Sequence, residues 1–349
     1  MARRLSFRAA LCPRGSRLQS PAAARERRAL LAAVGGLSLT GFLLEAKGLA
    51  KSFGKVAAVR GVSFALRRGE TFGVVGESGS GKSTVARLVL RLIEADRGEL
   101  RFRDRDLRAI GREELRRERR HMQMVFQDPN SSLNPRMTIG DLIAEPMQAH
   151  AIGDSVSRTN RARALLDEVG LPAAAASRYP HEFSGGQRQR IAIARALATE
   201  PDLIVADEPV SALDVSVQAQ VLNLLIDLKA RHGLTLLFIS HDLRVVEFLC
   251  DRIAVMYLGE IVEMSDKTSL YRNPRHPYTQ ALFASAPGRP RAERLKGEIP
   301  NAASIPSGCV FRTRCPKAFD RCAVTAPLLR DLGDGTSAAC HLATVEQAP

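Results

Sequence analysis

Short apolar runs recur along the chain, and three of them end at glycine-rich or acidic segments. Their length and continuous hydrophobic character are typical of strands buried on both faces of a parallel sheet, which predicts strands at Thr71–Val75, Leu203–Ala206 and Thr235–Ser240. Apolar residues at helical spacing predict helices around these runs. The predicted helices are Thr84–Ile93, Ile139–Gln148, Val156–Val169 and Gln187–Ala198.

The order of these elements predicts the fold class. Residues 42–127 add antiparallel strands, Val62–Leu66 and Glu99–Phe102, to the first half of a core. Residues 128–195 are mostly helical, and residues 196–265 alternate strand and helix again. This alternation requires a parallel sheet, so we expect an α/β fold. No segment of the sequence repeats another, which indicates a single copy of that fold.

A glycine-rich loop joins the first buried strand to its helix. Gly76–Ser83 matches the phosphate-binding pattern G-x-x-x-x-G-K-[ST] without a mismatch. Its glycines allow successive backbone N–H groups to point at phosphate oxygens, and the helix N-terminus behind them favours negative charge. Lys82 would contact the β- and γ-phosphates, and Ser83 would ligate Mg²⁺. The candidate nucleotide ligands are Gly76, Ser78, Gly79, Ser80, Gly81, Lys82, Ser83 and Thr84.

Two adjacent carboxylates, Asp207 and Glu208, follow the second buried strand. The carboxyl end of a parallel strand opens on the ligand crevice of an α/β sheet. Asp207 would therefore bind Mg²⁺, directly or through water. Glu208 would polarise the water that attacks the γ-phosphate.

The segment Phe183–Gln187, with the sequence FSGGQ, lies between the phosphate loop and the acidic strand end. Together the three segments resemble the ATP-binding cassette (ABC) ATPases. The resemblance implies a P-loop NTPase cassette: a RecA-like core, an antiparallel β subdomain and an α-helical subdomain at about residues 128–195. It also implies that two such domains enclose ATP between them. The residues that would reach the nucleotide of the opposite subunit are Ser184, Gly185, Gly186 and Gln187.

The resemblance assigns roles to further positions. Phe53 lies where the family places an aromatic ring on adenine, although on its own it could equally be a core residue. Gln127 matches a glutamine that contacts Mg²⁺ and water and communicates with the membrane subunit. His241 matches a switch histidine at the γ-phosphate, and Asp214 ends the segment Ser211–Asp214 that crosses to the partner ATPase. Glu208, His241 and Gln127 are therefore the expected catalytic residues.

The C-terminal part of the chain narrows the resemblance. Residues Asn273–Leu282 and Pro306–Pro316, together with Ser131–Arg136, are similar to segments of oligopeptide and dipeptide importer ATPases, most of all the F-type subunit. The resemblance implies di- or oligopeptide uptake, powered by ATP and Mg²⁺. Importers of nickel, glutathione or modified sugars resemble this branch too, so the solute stays open. We expect an ABC ATPase domain at residues 42–265 and an extension at residues 266–349.

Four cysteines, Cys309, Cys315, Cys322 and Cys340, fall in this extension. A cytosolic chain rarely keeps structural disulfides, so clustered thiols suggest a metal site. Their spacing is wider than that of a zinc ribbon and is compatible with a Cys₄ iron–sulfur cluster. The resemblance implies a [4Fe–4S] cluster, while the residues alone leave zinc and unligated thiols open.

Charge and length bound the remaining possibilities. The net charge is +14, but residues 1–30 carry half of that excess, with eight Arg against one Glu. Residues 1–41 are expected to be a disordered or over-annotated basic leader rather than a working export signal. Trp is absent and no basic stripe contains aromatic residues, so we expect no nucleic-acid partner.

The resemblance also implies partners and a location. The expected partners are a homologous ATPase subunit in a heterodimer, or a second copy of the chain, and two transmembrane permease subunits. An extracytoplasmic solute-binding protein would act indirectly. The chain would be peripheral, at the cytoplasmic face of the inner membrane. A soluble mechanical ATPase acting on nucleic acid or ribosomes is the alternative class. It is disfavoured because residues 84–183 lack the sustained heptads of a coiled coil and because the cassette is not duplicated.

Overall fold

The computed structural model describes residues 41–284, 297–298, 300–333 and 335–343, so the predicted leader, except Gly41, lies outside the described residues. The strands are β1 (Phe42–Phe53), β2 (Val56–Arg67), β3 (Thr71–Val75), β4 (Arg97–Phe102), β5 (Arg105–Asp106), β6 (Met122–Val125), β7 (Leu203–Asp207), β8 (Thr235–Ser240), β9 (Arg252–Tyr257), β10 (Glu260–Asp266), β11 (Arg330–Asp331) and β12 (Ser337–Ala338). The helices are α1 (Lys82–Val89), α2 (Arg112–Glu118), α3 (Pro129–Ser132), α4 (Ile139–Ala149), α5 (Ser155–Glu168), α6 (Gly185–Leu197), α7 (Val215–His232), α8 (Leu243–Leu249), α9 (Lys267–Arg272), α10 (Pro277–Ala284) and α11 (Asp320–Val324).

Most of the strands and helices that the apolar runs predict are present near the expected residues. Strands β3 and β8 have the predicted bounds, and α4, α5 and α6 lie within two residues of theirs. The helix predicted at Thr84–Ile93 is shifted: it starts at Lys82 and ends at Val89. It starts earlier because Gly81, with a left-handed φ of 101°, is already its N-cap. It ends earlier because Arg91 also adopts left-handed backbone, with φ 49°.

Two sheets organise the described part of the chain. The larger has eight strands in the order β11-β12-β10-β9-β3-β8-β7-β6, and its neighbours from β9 to β6 are parallel. The smaller is antiparallel, in the order β2-β1-β4-β5. Because β3, β7 and β8 are parallel neighbours, their carboxyl ends meet at one edge of the large sheet. The phosphate loop, the carboxylate pair and His241 all follow those ends.

Alternation along the central strands divides the apolar core between the two faces of the large sheet. In β8, Leu236 and Phe238 pack into one cluster with the helices α4 to α7. Leu237 and Ile239 point the other way and pack with α1 and the antiparallel sheet. The central strands are therefore covered on both sides, which fixes the positions of the loops at their ends.

The segment after β10 is built into the same sheet and core. Strand β12 pairs with β10, and Tyr278, Phe283 and Phe311 pack in the cluster that contains the central strands. Glu263 of β10 is fully buried and accepts the backbone N–H groups of Arg275 (2.6 Å) and His276 (2.9 Å), just before α10. Burial raises the pKa of Glu263 in spite of these bonds. This segment is thus held to the large sheet by backbone pairing and by a buried carboxylate.

Among the residues that the structure describes, no helix is long and apolar enough to cross a membrane.

Candidate active site

The loop Gly76–Ser83 connects β3 to α1 and requires glycine where the backbone approaches other elements. A Cβ at Gly81 would lie 2.2 Å from the carbonyl oxygen of Ala58, and one at Gly76 would lie 2.2 Å from that of Met256. Both residues also have left-handed φ values, 101° and 156°. Glycine is therefore required at both positions for steric and for conformational reasons, and the loop is held against β2 and β9.

Lys82 closes the loop from inside. Its ammonium group donates to the carbonyl oxygens of Gly76 and Glu77, both at 2.9 Å, and the side chain is almost fully buried. Burial lowers the pKa of Lys82, while the carboxylates of Glu208, Asp207 and Glu77 act in the opposite direction. The loop thus holds a buried cation, and an anionic ligand would be its natural counter-charge.

Two carboxylates, Asp207 at the end of β7 and Glu208 directly after it, lie beside the loop. The Ser83 hydroxyl donates to Asp207 Oδ1 at 3.0 Å, and burial raises the pKa of Asp207. Gln127 Nε2 donates to Glu208 Oε2 at 3.3 Å, and His241 Nδ1 lies 3.0 Å from the same oxygen. The structure therefore brings the predicted Mg²⁺ ligands and the predicted catalytic residues together at one sheet edge.

Glu208 is held in an uncommon backbone conformation. Its φ is +47°, and its N–H donates to the carbonyl oxygen of Ile239 at 3.0 Å. A non-glycine residue in the left-handed region costs of order 1 kcal/mol and persists only where neighbours enforce it. The Ser211 hydroxyl, which donates to the Glu208 carbonyl oxygen at 3.0 Å, is one such neighbour. This geometry turns the Glu208 carboxylate away from β7 and toward Gln127 and His241.

An open cleft of about 500 Å³ lies in front of these groups. It is lined by Val56, Ala57, Ala58, Ser78, Gly79, Gly81, Lys82, Ser83, Thr84, Gln127, Glu208, His241, Leu258, Gly259 and Ala302. Phe53 is outside this lining: its ring is 50% exposed in the β1–β2 hairpin, with the Lys51 ammonium 5.6 Å from the ring centre. It is a surface ring near the mouth of the cleft rather than a core residue.

The residues Ser184–Gln187 are also outside the cleft of their own chain. Ser184 is the N-cap of α6, where its hydroxyl accepts the N–H of Gln187 at 3.3 Å and the Gln187 side chain accepts the N–H of Ser184 at 3.0 Å. Both side chains are exposed. A Cβ at Gly186 would lie 2.3 Å from Val217 Cγ1, so α6 and α7 approach closely there. Asp214 is exposed beside this turn, at the N-cap of α7. The turn is preformed and contributes no residue to the lining of the cleft of its own chain.

The four cysteines of the extension converge without forming a metal-binding group. The N–H of Cys309 donates to the carbonyl oxygen of Cys322 at 2.8 Å, and the thiols of Cys315, Cys322 and Cys340 raise the pKa of Cys309 beyond the effect of burial, to about 11. Over the described ranges, no three His, Cys, Asp or Glu side chains are arranged to hold a metal ion. Thiols are the donor type that zinc and iron–sulfur clusters use, so the residue types at this convergence suit a metal, and no chemical step is assigned to a cluster here.

Residues absent from the sequence-based prediction also reach the loop. Tyr278, Arg314 and Ala302, all from the extension, contact Glu77 or line the cleft. Nothing in their spacing signals this, because Tyr278, the first of them in the sequence that binds Glu77, already lies 201 positions after it. Only the docking of the extension on the core brings them there.

The oxygen donors and the cradle fit a Mg²⁺–nucleotide complex. Mg²⁺ prefers oxygen ligands completed by substrate phosphates, which matches the hydroxyl, carboxylate and amide groups of Ser83, Asp207 and Gln127. Positions Gly76 and Gly81, which a Cβ would obstruct, keep the backbone open to a phosphate chain.

Most of the chain is similar to known proteins. Residues 59–211 match the model of the ABC transporter family, and residues 262–322 match that of the C-terminal region of oligopeptide/dipeptide transporters. A curated protein of Brucella ovis, named for peptide import and ATP binding, is 54% identical over 307 residues, covering 85% of this chain and 97% of that protein. The oligopeptide transport ATP-binding protein AppF of Bacillus subtilis is 51% identical over 300 residues, covering 84% of this chain and 91% of that protein.

A solved structure is similar as well. It is a dimeric, post-hydrolysis form of the ATP-binding cassette MJ0796 bound to ADP and Pi, with a TM-score of 0.59 and 31% identity. The match covers 64% of this chain and 98% of that one.

Proposed function

The chain belongs to the ABC transporter family, in the branch of oligopeptide and dipeptide transport ATP-binding subunits, and from this premise we propose that it hydrolyses ATP to power the uptake of peptides. The observation that carries this proposal is the sheet edge where a buried Lys82, the Ser83–Asp207 pair and the Gln127–Glu208–His241 group face one cleft. That constellation has the parts that phosphoryl transfer to water needs.

Nucleotide binding is assigned to the loop and the ring near it. Backbone N–H groups of Gly76–Ser83 would hold the phosphates, Lys82 would contact their β- and γ-oxygens, and Phe53 would stack on adenine. Ser83, Asp207 and Gln127 would hold Mg²⁺. When bound, Mg²⁺ neutralises charge that develops on the phosphates.

Hydrolysis is assigned to the residues around Glu208. Its carboxylate would accept a proton from the attacking water, and Gln127 and His241 would orient that water and the γ-phosphate. The hydrogen bonds that both side chains make to the same Glu208 oxygen support these roles. Because the strained backbone holds the carboxylate toward the cleft, little reorganisation is needed at the moment of reaction.

A second ATPase subunit would complete each site. The Ser184–Gln187 turn, with Asp214 beside it, is preformed and exposes Ser184 and Gln187 yet lines no part of its own cleft, and the similar cassette is dimeric. Either a homologous subunit or a second copy of this chain would supply the turn. ATP would then favour the closed dimer, and closure would drive two permease subunits, with a solute-binding protein delivering the peptide.

Location and domain organisation follow from this role. A subunit that acts on permeases would be peripheral, on the cytoplasmic face of the inner membrane. Residues 42–265 would form the ATPase domain, with its helical subdomain at about 128–195, and residues 266–349 the transporter-specific extension. The match of residues 262–322 to the C-terminal region of oligopeptide/dipeptide transporters supports this division.

For the extension we also propose that Cys309, Cys315, Cys322 and Cys340 hold a [4Fe–4S] cluster. The convergence of the four thiols supports it. Iron and acid-labile sulfide measured on anaerobically purified protein would test it. Metal-free protein in which these four thiols are all titratable would reject it.

The experiment for ATP hydrolysis is Glu208→Gln. This variant keeps the shape and the Gln127 and His241 neighbours but loses the base, so we expect MgATP binding within about threefold of the unmodified protein and a kcat lower by about 10²–10⁴. Asp227→Asn is the matched control, because Asp227 is an exposed residue of α7 that does not line the cleft. Near-normal turnover by Glu208→Gln would remove Glu208 from the mechanism.

A further inference from the structure

We propose that Arg314 of the extension is a positioning residue for nucleotide binding, acting through Glu77 of the phosphate loop. This inference rests on the proposed ATP site and deepens it. It assigns to the C-terminal extension a part in how tightly the nucleotide is held.

Arg314 and Glu77, which are distant in the sequence, form a bidentate ion pair. Arg314 Nη1 lies 2.7 Å from Glu77 Oε2, and Nη2 lies 3.2 Å from Glu77 Oε1. The Arg314 side chain is 8% exposed and that of Glu77 is 27% exposed. Parallel N–H···O bonds from a guanidinium to a carboxylate restrict orientation as well as distance. Glu77 is therefore held in one direction by a largely buried cation.

The extension also holds the backbone of Glu77. Its N–H donates to the Tyr278 hydroxyl at 3.0 Å, while its carbonyl oxygen accepts from Lys82 at 2.9 Å. Tyr278 is fully buried and packs on Tyr257 and Phe311, with ring centres 4.7 and 5.3 Å away. The Arg314 amide in turn donates to the carbonyl oxygen of Phe311 at 3.0 Å. The packed rings around Phe311 thus fix the positions of the Tyr278 hydroxyl and the Arg314 guanidinium, the two groups that bind Glu77.

The charge of Glu77 gives this contact a consequence for ligand binding. A carboxylate next to the phosphate cradle repels an incoming triphosphate. Glu77 is close to the Lys82 ammonium group, whose pKa burial lowers and nearby carboxylates, Glu77 among them, act to raise. Arg314 pairs with the Glu77 carboxylate and neutralises its charge. Without Arg314, an uncompensated negative charge would remain at an anion site, which costs affinity for the nucleotide.

A purely structural tether between extension and core predicts something different. It would lower stability when removed, and it would not depend on the charge of Glu77. Charge neutralisation predicts that removal of the Glu77 charge restores what removal of the Arg314 charge has lost. The two explanations therefore separate in a double-mutant cycle.

The experiment measures MgATP affinity by calorimetry and ATPase kinetics for Arg314→Gln, Glu77→Gln and the double variant. We expect Arg314→Gln to raise Kd and KM about tenfold with kcat unchanged, and the double variant to return Kd to within about twofold of the unmodified protein. Arg314→Lys, which keeps the charge, should rescue most of the affinity. Arg312→Gln is the matched control, because Arg312 contacts Ser307 and not the loop.

Three results would overturn the inference: an unchanged Kd in Arg314→Gln, a double variant as weak as that single one, or a loss of kcat alone. If Arg314→Gln does not fold, Glu77→Gln carries the test, since removal of its anion with Arg314 retained should tighten MgATP binding. Unchanged or weaker binding by Glu77→Gln would then overturn the inference. Failure of the unmodified protein to bind MgATP would instead refute the proposed function itself.

A second readout follows from reciprocity. If the extension stabilises the nucleotide-bound loop, the nucleotide must stabilise the extension by the same free energy. Hydrogen exchange of residues 309–322 should slow when MgATP is added, and this protection should be absent in Arg314→Gln. Equal protection in both proteins would contradict the coupling.

Discussion

The phosphate loop and the Ser184–Gln187 turn are both glycine-containing segments at helix N-termini, yet they are built in opposite ways. The loop encloses a buried ammonium group, its glycines are forced by backbone contacts, and it faces carboxylates of its own chain. The turn is capped by its own side chains, and its polar groups are exposed. Under the proposed function, a single chain carries the binding cradle for its own nucleotide and offers the Ser184–Gln187 turn to the site of another subunit.

The largest effect is expected from removing the buried ammonium group of Lys82, which only the phosphate loop contains. Lys82→Ala should lower MgATP affinity by at least about 100-fold, because a charge-assisted contact to the phosphates is lost at a desolvated site. Equilibrium binding to the isolated chain measures this. Lys229→Ala, at the surface ion pair with Asp251, is the control. Tight binding by Lys82→Ala would mean that the loop is not the nucleotide cradle.

A charge in the turn should separate binding from turnover. A Cβ at Gly185 meets only Leu213 Cδ2, at 3.5 Å, so Gly185→Glu should fold. Its carboxylate would face the phosphates of a partner subunit, so we expect ATPase activity to fall about 100-fold while the ATP affinity of the isolated chain stays unchanged. Gly185→Ala is the matched control. Normal activity of Gly185→Glu would contradict the shared site.

The two segments should differ in whether a second substitution can restore the stability lost when a glycine is replaced by alanine. Gly186→Ala would clash with a side-chain methyl group of Val217, and the overpacking should cost about 1–3 kcal/mol of unfolding free energy. Val217→Ala in the same chain should recover most of that loss. A Cβ at Gly81 meets a backbone carbonyl oxygen, so no side-chain change should rescue Gly81→Ala. Thermal or denaturant unfolding of the unmodified protein, Gly186→Ala, the double variant Gly186→Ala/Val217→Ala and Gly81→Ala measures this difference.

The smallest expected effect concerns the edge of the cleft. Phe53→Ala removes an exposed ring, so stability should not change, and the affinity for ATP should fall about tenfold if the ring stacks on adenine. Phe53→Tyr should retain the affinity. Equal binding of ATP and tripolyphosphate by the unmodified protein would show that the base makes no such contact.

Most of the site could be predicted from the sequence because its parts are local. Gly76–Ser83, Asp207 with Glu208, and His241 each follow directly on a buried strand, and the parallel sheet brings those strand ends together. The ends of α1 could not be predicted as well. They depend on left-handed residues, Gly81 and Arg91, whose conformations arise from contacts outside the local pattern.

The sequence alone determined the α/β fold, the phosphate loop and the carboxylate pair, since strand periodicity and short motifs act within a few residues. Only the tertiary structure decided that the extension joins the large sheet through β12 and that Arg314 and Tyr278 hold Glu77. It also decided that Glu208 is turned toward Gln127 and His241. These contacts join residues up to 237 positions apart. They follow from how packed layers dock, and no local pattern carries that information.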